Sequence, residues 1–325
     1  MDTDKIFLNQ FKNHFLRIDK ELSRNLSTQV DFIKDIGNYS LFGKGKRLRP
    51  LLFLLSGQLC GYKGEDIYYL STIFEYIHTA SLLHDDVLDK AETRRKKPSV
   101  NYIWGNSAAV LGGDFLYSKS LGIALSCHNM EFLELLTDTS TKMTEGQALE
   151  LVHTYNWDIS KDVYMEIIIS KTAMLISAAC ACGAIISGAE KWAVDNLSQF
   201  GLNLGIAFQL MDDLLDYTSS EEEIGKPVGK DLREGKVTLP LIYTLADLER
   251  AEIERLDDLF QNNRATDDDY GRIIKMVRNN GVIDRVRSEA KVYVDKAAGF
   301  LNPFPDSAGK KELTELNSYI VKRGF

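Results

Sequence analysis

Two aspartate motifs of the form D-D-x-x-D are the residues of this sequence best suited to chemistry. Their six members are Asp85, Asp86, Asp89, Asp212, Asp213 and Asp216. Each motif lies near the end of a long run with helical apolar periodicity, so the first and last aspartate of each should share one helix face. Carboxylates so placed repel one another, and a helix C-terminus disfavours anions by about 0.3–1 kcal/mol each. A hard divalent cation would offset both effects, and Mg²⁺ typically binds one or two carboxylates together with substrate phosphates.

A single motif of this kind is more simply explained as a solvated acidic helix end. Here two copies occur, and each is followed by basic residues. Arg94 and Arg95 follow the first motif, whereas Lys226, Lys230 and Lys236 follow the second. The repetition favours a site for metal ions and a diphosphate over two unrelated acidic helix ends.

A second basic segment, Gly43–Pro50, has four cations in six positions just before an apolar run. Glycines let the backbone bend there, and Pro50 suits the first turn of a helix. Cations beside the free N–H groups of a helix N-terminus form an anion site, although alone the segment would equally suit a charged surface loop. A lone histidine is more often a core or capping residue than a ligand, but His78 lies two turns before Asp85 on nearly the same face, which shifts the interpretation modestly toward contact with a phosphate.

Composition and charge restrict the class of protein. The chain has 325 residues, of which 44% are hydrophobic and 26% charged, as in globular rather than disordered proteins. The net charge of −8 argues against nucleic-acid binding. Four cysteines without metal-site spacing predict free thiols and a reducing compartment. The first residues carry two acids and no apolar core, so we expect no signal peptide and a cytoplasmic protein.

The elements that must position these residues are predicted to be helices. Apolar residues recur at helical spacing, and no segment alternates as a strand between turn signals. We predict an all-α, single-domain helical bundle over residues 1–325. The nearly uncharged run Thr172–Ala189 is borderline in length for a membrane span, but its small side chains favour a buried helix. We expect Gly112–Asp114 to break the chain before a helix from Phe115, and Leu241–Phe260 to form one helix.

In combination, these motifs resemble those of the trans-isoprenyl diphosphate synthases of the polyprenyl synthetase family. The resemblance rests on both aspartate motifs, Gly45–Pro50, Arg94–Arg95 and Gly235–Pro240, in order from about residue 40 to 245. It implies an isoprenoid synthase fold, in which helices surround a central active-site cavity, and a homodimer. It also implies Mg²⁺-dependent head-to-tail condensation of an allylic prenyl diphosphate with isopentenyl diphosphate. One departure is Lys96, where the family usually has glycine.

The resemblance also implies roles for individual residues. The metal ligands would be the six aspartates of the two motifs. The isopentenyl diphosphate would be held by Lys46, Arg49, His78 and Arg95. The allylic diphosphate would be contacted by Arg94, Lys171, Thr172 and Gln209, with added positive charge from Lys226 and Lys236. Catalysis would depend on Asp85, Asp86, Asp89, Arg94, Lys171 and Asp212: ionisation gives an allylic cation, the isopentenyl double bond attacks it, and the released diphosphate accepts the proton.

Product length should depend on the helix that carries the first motif. Ala80 and Ser81, about one turn before Asp85, are small where short-chain family members have aromatic residues. Ile77 follows, and the next bulky side chain is that of Phe74, about 16 Å away along the helix. We therefore predict a long-chain all-trans product, octaprenyl to decaprenyl diphosphate, of the kind used for quinone side chains.

Three alternatives remain at this point. A short-chain synthase making farnesyl or geranylgeranyl diphosphate would result if another helix closes the cavity. A terpene cyclase needs no second diphosphate site, so Lys46 and Arg49 argue against it. A non-catalytic synthase subunit usually lacks aspartate motifs, and here both are intact. We expect no nucleic-acid partner and no transmembrane anchor, and leave open a transient membrane contact for product release.

Overall fold

The structure is a computed structural model that describes residues 9–43, 45–218, 228–262, 264–279 and 281–322, with the side chains of 320–322 excluded. Regular structure in these ranges is almost entirely helical, which confirms the predicted all-α fold class. Up to residue 152 the elements are α1 (Lys12–Asn25), α2 (Asp31–Leu41), α3 (Leu48–Leu59), α4 (Ile67–Leu88), β1 (Thr93–Arg94), β2 (Lys97–Pro98), α5 (Val100–Trp104), α6 (Asn106–Leu125) and α7 (Met130–Val152).

The later elements begin with a helix that changes type in its middle. It consists of α8 (Lys161–Ile168), a π-helical turn (Ile169–Ala173) and α9 (Met174–Ile186). The rest are α10 (Lys191–Thr218), α11 (Lys230–Arg233), α12 (Leu239–Leu245), α13 (Arg250–Gln261), α14 (Asp267–Asn279), α15 (Val282–Leu301) and α16 (Ala308–Lys322).

The chain divides into two compact units, each built from several stretches of sequence. Unit 1 comprises Met1–Thr137, Ala178–Ser198 and Pro303–Leu313. Unit 2 comprises Asp138–Ser177, Gln199–Asn302 and Thr314–Phe325. The first aspartate motif therefore belongs to unit 1 and the second to unit 2. The single domain over residues 1–325 stays a prediction.

In unit 1, helix α4 is buried along most of its length, and α1, α2, α3, α5 and α6 pack against it. The part of α4 around Phe74 packs in a cluster of three fully buried rings, those of Phe53, Phe74 and Phe132, whose centroids lie 5.2 to 6.4 Å apart. Aromatic pairs at such distances contribute about 0.5–1.5 kcal/mol beyond the area they bury. The first aspartate motif thus stands at the end of a helix that is anchored in a tight apolar core.

The prediction that Gly112–Asp114 breaks the chain is wrong, because α6 runs through this segment without interruption. A Cβ atom on Gly112 would lie 2.6 Å from Ile36 Cγ2, and one on Gly113 would overlap the ring of His84. Close packing of α6 against α2 and α4 therefore requires glycine. That packing offsets the cost of about 1 kcal/mol that glycine carries inside a helix.

The predicted helix Leu241–Phe260 is also wrong, because the structure has two helices here, α12 and α13, separated by residues 246–249. Nearly all of α12 is buried, whereas α13 has one buried face. Glu249, just before α13, has extended backbone angles that interrupt the helix. Apolar residues continue across the break because both helices contribute to the core of unit 2. The apolar periodicity of the sequence therefore does not reveal where the first helix ends.

Apolar helix Lys161–Ile186, which spans α8 to α9, agrees with the prediction of a buried helix near Thr172–Ala189. By length and composition it could cross a membrane, with a mean hydropathy of 1.7, but 78% of that window is buried inside the protein. Cys180 and Cys182 lie in it and are buried. All four cysteines are free thiols, as predicted.

Candidate active site

The first motif occupies the C-terminal end of α4, as predicted. Asp85 and Asp86 are in its last turn and buried, and Asp89 caps the helix. Arg94 donates two hydrogen bonds to Asp86 Oδ1, one of them from Nε at 2.7 Å. Burial opposes the charge of Arg94, but the hydrogen bond to Asp86 and the charges of the motif raise its pKa. One member of the motif is therefore already neutralised by an arginine.

A short antiparallel hairpin carries that arginine. Its strands pair Thr93 with Pro98 and Arg94 with Lys97, which leaves Arg95 and Lys96 as the turn. Both turn residues have positive φ, 52° and 65°, the backbone that two-residue hairpin turns require. The structure thus explains why the family usually has glycine at position 96, since glycine adopts a left-handed backbone more readily than lysine.

The segment before α3 is fixed by a buried arginine that the sequence analysis did not single out. Arg47 Nη1 donates to Glu75 at 2.6 Å, Nε to Asp19 at 2.8 Å, and Nη2 to the carbonyl of Leu41 at 2.6 Å. Arg47 is only 5% exposed and Glu75 only 3%. The side chain of Arg47 is therefore a structural anchor, and it holds the backbone that carries its neighbours Lys46 and Arg49.

Positive charge gathers around His78 on α4. The pKa of His78 lies well below its usual value because the surrounding protein desolvates the ring and because Arg49, Arg95, Arg94 and Arg47 repel its proton. The predicted residues Arg49, His78 and Arg95 are thus brought together in unit 1, with a neutral imidazole among guanidinium groups. Asp86, Arg94 and Arg95 also line a cavity of about 520 Å³ that is open to solvent. Such a cluster suits an anion with several oxygen atoms.

The second motif lies at the end of α10, again as predicted, but its surroundings differ. Asp213 is buried and accepts hydrogen bonds from Tyr164 Oη at 2.6 Å and from Gln209 Nε2 at 2.7 Å. Asp216 accepts from the backbone N–H groups of residues 230 and 231 at 3.1 and 2.9 Å. Burial and the nearby Asp231 carboxylate raise the pKa of Asp213 well above its usual value, and that of Asp216 to about 7.

Asp231 was missed by the sequence analysis, which counted only the lysines of this segment. Burial raises its pKa too, against the opposing charge of Lys236. Lys236 forms an ion pair: its ammonium lies 2.8 Å from the carboxylate of Glu234, and the ammonium of Lys230 lies 2.7 Å from the same carboxylate. The predicted residue Lys226 lies outside the described residues. The available signal was an acidic residue among the lysines that follow the second motif.

Lys171 and Thr172 lie on the π-helical turn of unit 2. Lys171 Nζ donates to Glu150 Oε2 at 2.5 Å, and Thr172 Oγ1 donates to Gln209 Oε1 at 3.0 Å. A cavity of about 660 Å³ brings these side chains together with others predicted for the site. Its polar lining includes Glu150, His153, Lys171, Thr172, Gln209, Asp213, Asp231 and Lys236.

The donor atoms of both motifs suit a hard divalent cation, since all are carboxylate oxygens. Within the part of the chain that the structure describes, no three His, Cys, Asp or Glu side chains form a ready metal cluster. Burial, together with neighbouring carboxylates, nevertheless raises the pKa values of Asp213, Asp216 and Asp231, so their ionised forms are poorly compensated at the second motif. A bound cation would compensate them, so the residues fit the metal that the sequence predicts.

The residues predicted to control product length lie along α4. Ala80 and Ile77 are 3% exposed, and Phe74 is fully buried in the aromatic cluster with Phe53 and Phe132. Ser81 is half-buried, and its hydroxyl donates to the carbonyl of His78 at 2.9 Å. Their spacing along the helix is as expected, and their role in chain length stays a prediction.

Comparison with known proteins gives consistent relatives over nearly the whole chain. The sequence model of the family "Polyprenyl synthetase" matches residues 30–277. Octaprenyl diphosphate synthase of Escherichia coli (strain K12) is 35% identical over 308 residues, which cover 94% of each chain. Heptaprenyl diphosphate synthase component 2 of Bacillus subtilis (strain 168) is 34% identical, over 95% of this chain and 87% of the relative. A crystal structure of polyprenyl synthase from Caulobacter crescentus CB15, complexed with calcium and isoprenyl diphosphate, has a TM-score of 0.93 and 34% identity, and covers 99% of this chain and 98% of that one.

Proposed function

The chain belongs to the polyprenyl synthetase family, and from this premise we propose that it condenses an allylic prenyl diphosphate with isopentenyl diphosphate to make a long-chain all-trans polyprenyl diphosphate. Its all-α structure is the isoprenoid synthase fold, and the protein is a prenyltransferase. The observation that carries the proposal is the meeting of Arg49, His78, Arg94 and Arg95 beside the first aspartate motif. A diphosphate is the substrate chemistry that this cluster recognises.

At the first motif, the arginines and the neutral His78 would hold diphosphate oxygens. Guanidinium groups bind such oxygens in a bidentate manner, and these charge-assisted hydrogen bonds are about twice as strong as neutral ones. Lys46 and Arg49 would orient the isopentenyl diphosphate. Arg47 would hold the backbone between them, because its own donors are occupied by Asp19, Glu75 and the carbonyl of Leu41.

At the second motif, Lys171, Thr172 and Gln209 would contact the allylic diphosphate, with Lys236 near them in the same cavity. We propose that the six aspartates of the two motifs bind Mg²⁺ ions; when bound, these ions supply charge neutralisation and Lewis acidity at the departing diphosphate. The calcium in the similar Caulobacter enzyme supports a divalent ion in this role. Asp231 and Tyr164 would orient the aspartates that they neighbour.

The proposed product is octaprenyl to decaprenyl diphosphate, the length used for quinone side chains. Small side chains at Ala80 and Ser81 support it, because they leave room for the growing chain where an aromatic residue would stop it. Phe74 in its aromatic cluster would mark the lower limit of that room. The octaprenyl and heptaprenyl diphosphate synthases among its relatives support the same class of product over farnesyl or geranylgeranyl diphosphate.

We propose that the enzyme acts as a homodimer in the cytoplasm. The relative from Bacillus subtilis is named as component 2 of a synthase, which makes a partner subunit the alternative to test. Both aspartate motifs are complete in this chain, and that supports activity without a partner. The long product would reach lipid through transient membrane contact.

The decisive experiment incubates the purified chain with Mg²⁺, farnesyl diphosphate and labelled isopentenyl diphosphate, followed by mass spectrometry. We expect octaprenyl to decaprenyl diphosphate, and no product when the metal is chelated. A product that stops at farnesyl or geranylgeranyl diphosphate would contradict the long-chain proposal. Turnover that does not consume isopentenyl diphosphate would indicate a cyclase, and activity only on addition of a second protein would indicate a synthase subunit.

The variant A80F tests whether the side chain at position 80 controls the length of the prenyl product. An aromatic ring at this position should shorten the main product, while the rate of the first condensation stays the same. A serine at the same position, A80S, is the matched control and should leave the length unchanged. If A80F makes the wild-type product, the growing chain does not pass this part of α4.

A further inference from the structure

Lys171 and Thr172 lie on the one stretch of the described residues where an α-helix gives way to a π-helical turn, Ile169–Ala173. Such a turn holds one residue more than an α-helical turn, is rare, and frequently marks a functional site. Because such turns are rare, we expect neighbouring elements to stabilise this one. The neighbours of the turn in unit 2 show what does so.

Two helices approach the backbone of the turn, and each does so at a glycine. A Cβ atom on Gly146 of α7 would lie 2.7 Å from Ser170 Cβ and 2.8 Å from the backbone nitrogen of Lys171. A Cβ atom on Gly205 of α10 would lie 2.6 Å from Ala173 Cα and 2.9 Å from its Cβ. Contacts under 3.0 Å are essentially never seen for real Cβ atoms. Neither helix could approach the turn this closely with any other residue.

Each of the two helices then supplies a polar side chain one turn further on. Glu150 follows Gly146 by four residues and accepts a hydrogen bond from Lys171 Nζ at 2.5 Å. Gln209 follows Gly205 by four residues and accepts one from Thr172 Oγ1 at 3.0 Å. Residues four apart lie on one helix face. Both helices therefore contact the π-helical turn in the same way. Each has a glycine where it approaches the backbone of the turn and, four residues later, a side chain that accepts a hydrogen bond from a side chain of the turn.

On α10, the hydrogen bonds continue from the π-helical turn to the second aspartate motif. Gln209 accepts from Thr172 through its oxygen and donates through its nitrogen to Asp213 Oδ1 at 2.7 Å. A shift of the turn relative to α10 would stretch one of these two bonds. Thr172, Gln209 and Asp213 line the same cavity as Lys171, so the approach at Gly205 fixes polar groups that the turn and α10 contribute to that cavity.

We propose that Gly146 and Gly205 are positioning residues, which seat the π-helical turn so that Lys171 and Thr172 meet the diphosphate group of the allylic substrate. The assignment of that substrate rests on the proposed function. Neither glycine touches substrate; each acts through the main chain of the turn. A Cβ atom at either position pushes the turn outward, and a displacement of about 1 Å at a positioning group can cost about a hundredfold in rate.

The test compares G146A and G205A with G299A. Gly299 is a matched control, because it too is in a helix of unit 2, is exposed, and has no neighbouring atom within 4 Å of the place that a Cβ atom would take. We expect G146A and G205A to lower kcat/KM for farnesyl diphosphate by about tenfold to a hundredfold. Their KM for isopentenyl diphosphate should stay within about twofold of the wild type, and G299A should match the wild type in every constant. A general packing defect would not separate the two substrates in this way.

Equilibrium binding of inorganic pyrophosphate with Mg²⁺, measured on the same variants, separates the inference from the proposed function. A wild-type protein that binds pyrophosphate but does not condense the two substrates would overturn the proposed function; weaker pyrophosphate binding by both alanine variants would still support the positioning role. Alanine variants with wild-type binding and kinetics would overturn the inference. So would a variant that fails to fold, by circular dichroism, because its glycine then serves the whole core rather than the turn.

Discussion

The two aspartate motifs share one sequence pattern but have opposite electrostatic surroundings. In unit 1, Asp86 is bonded to Arg94, and further arginines lie close enough to lower the pKa of His78. In unit 2, Asp213 and Asp216 are bonded to neutral donors and lie beside a third carboxylate, that of Asp231. The first region is thus rich in cations and the second has an excess of anions.

This difference indicates a division of labour between the two regions. A cluster of cations around one motif is complementary to a diphosphate without further help. A cluster of carboxylates with raised pKa values needs a cation before it can face a diphosphate. We therefore expect variants of the arginines in the first region to affect substrate binding, and variants of Asp213 and Asp216 in the second to affect the requirement for metal.

The largest effect is expected for D213N. The amide keeps the size of the side chain but removes the charge, so the metal loses a ligand or a close counter-charge. Since a metal ion supplies several kcal/mol of transition-state stabilisation, the rate should fall by about a hundredfold to a thousandfold. The Mg²⁺ concentration for half-maximal rate should rise as well. An exposed aspartate of the same helix, changed in D195N, is the control. A normal metal requirement in D213N would break the proposed division.

The next effect concerns stability against pH in the absence of metal. The folded-state pKa of Asp216 is raised to about 7, chiefly by burial and then by Asp231. A raised carboxyl pKa favours the folded state at pH values below the unfolded pKa, and this stabilisation is lost as the pH rises through about 7. The loss amounts to at most about 4 kcal/mol, since each pKa unit corresponds to about 1.4 kcal/mol.

Denaturant titrations at pH 5 and pH 8 with a chelator measure the part of this loss that occurs above pH 5, which is about 3 kcal/mol. The stability should be lower at pH 8, and millimolar Mg²⁺ should restore it, because a bound cation favours the ionised carboxylates. The variant D216N should reduce the difference between the two pH values. Equal stability at both pH values, without metal, would show that the second motif carries no excess charge.

A smaller effect is expected for R94K in the first region. Lysine keeps the charge but cannot make the two hydrogen bonds that Arg94 makes to Asp86. We expect kcat/KM for the allylic diphosphate to fall by about tenfold, equal to about 1.4 kcal/mol, at an unchanged Mg²⁺ requirement. The exposed Arg24 provides the control R24K. An altered metal requirement in R94K would mean that both regions share one role.

The sequence predicted those features that depend on local pattern. Helical periodicity placed both motifs at helix ends, and the family motifs named residues such as Arg49, His78 and Arg95 that the structure brings together. What it missed depends on neighbours distant in sequence. Arg47 was counted as one cation among four, because its buried partner Glu75 is 28 residues away. Asp231 was overlooked, because its effect arises only when its segment folds back on α10.

The role of two glycines was also mispredicted because it depends on neighbours that are distant in sequence. Gly112 and Gly113 were predicted to interrupt a helix, since glycine has low helix propensity. In the structure they lie inside α6, and what requires them is the proximity of Ile36 and His84. The π-helical turn has no pattern of its own in sequence. It becomes visible only with the helices that approach it.

The smallest effect is expected for K96G in the hairpin of the first region. Lys96 has φ of 65°, a left-handed backbone that costs a non-glycine residue about 1–2 kcal/mol. Glycine removes this strain but gains freedom in the unfolded chain, worth about 0.4–1 kcal/mol, so the net stabilisation should not exceed about 1.6 kcal/mol. A calorimetric Tm should rise by a few degrees at most. The variant K97G is the control for the direction of the change in Tm. Lys97 is in the adjacent strand, where glycine should lower the Tm. Since K96G does not alter Arg94, its substrate binding should stay as in the wild type. A lower Tm for K96G would show that the lysine side chain contributes more to this hairpin than its backbone strain costs.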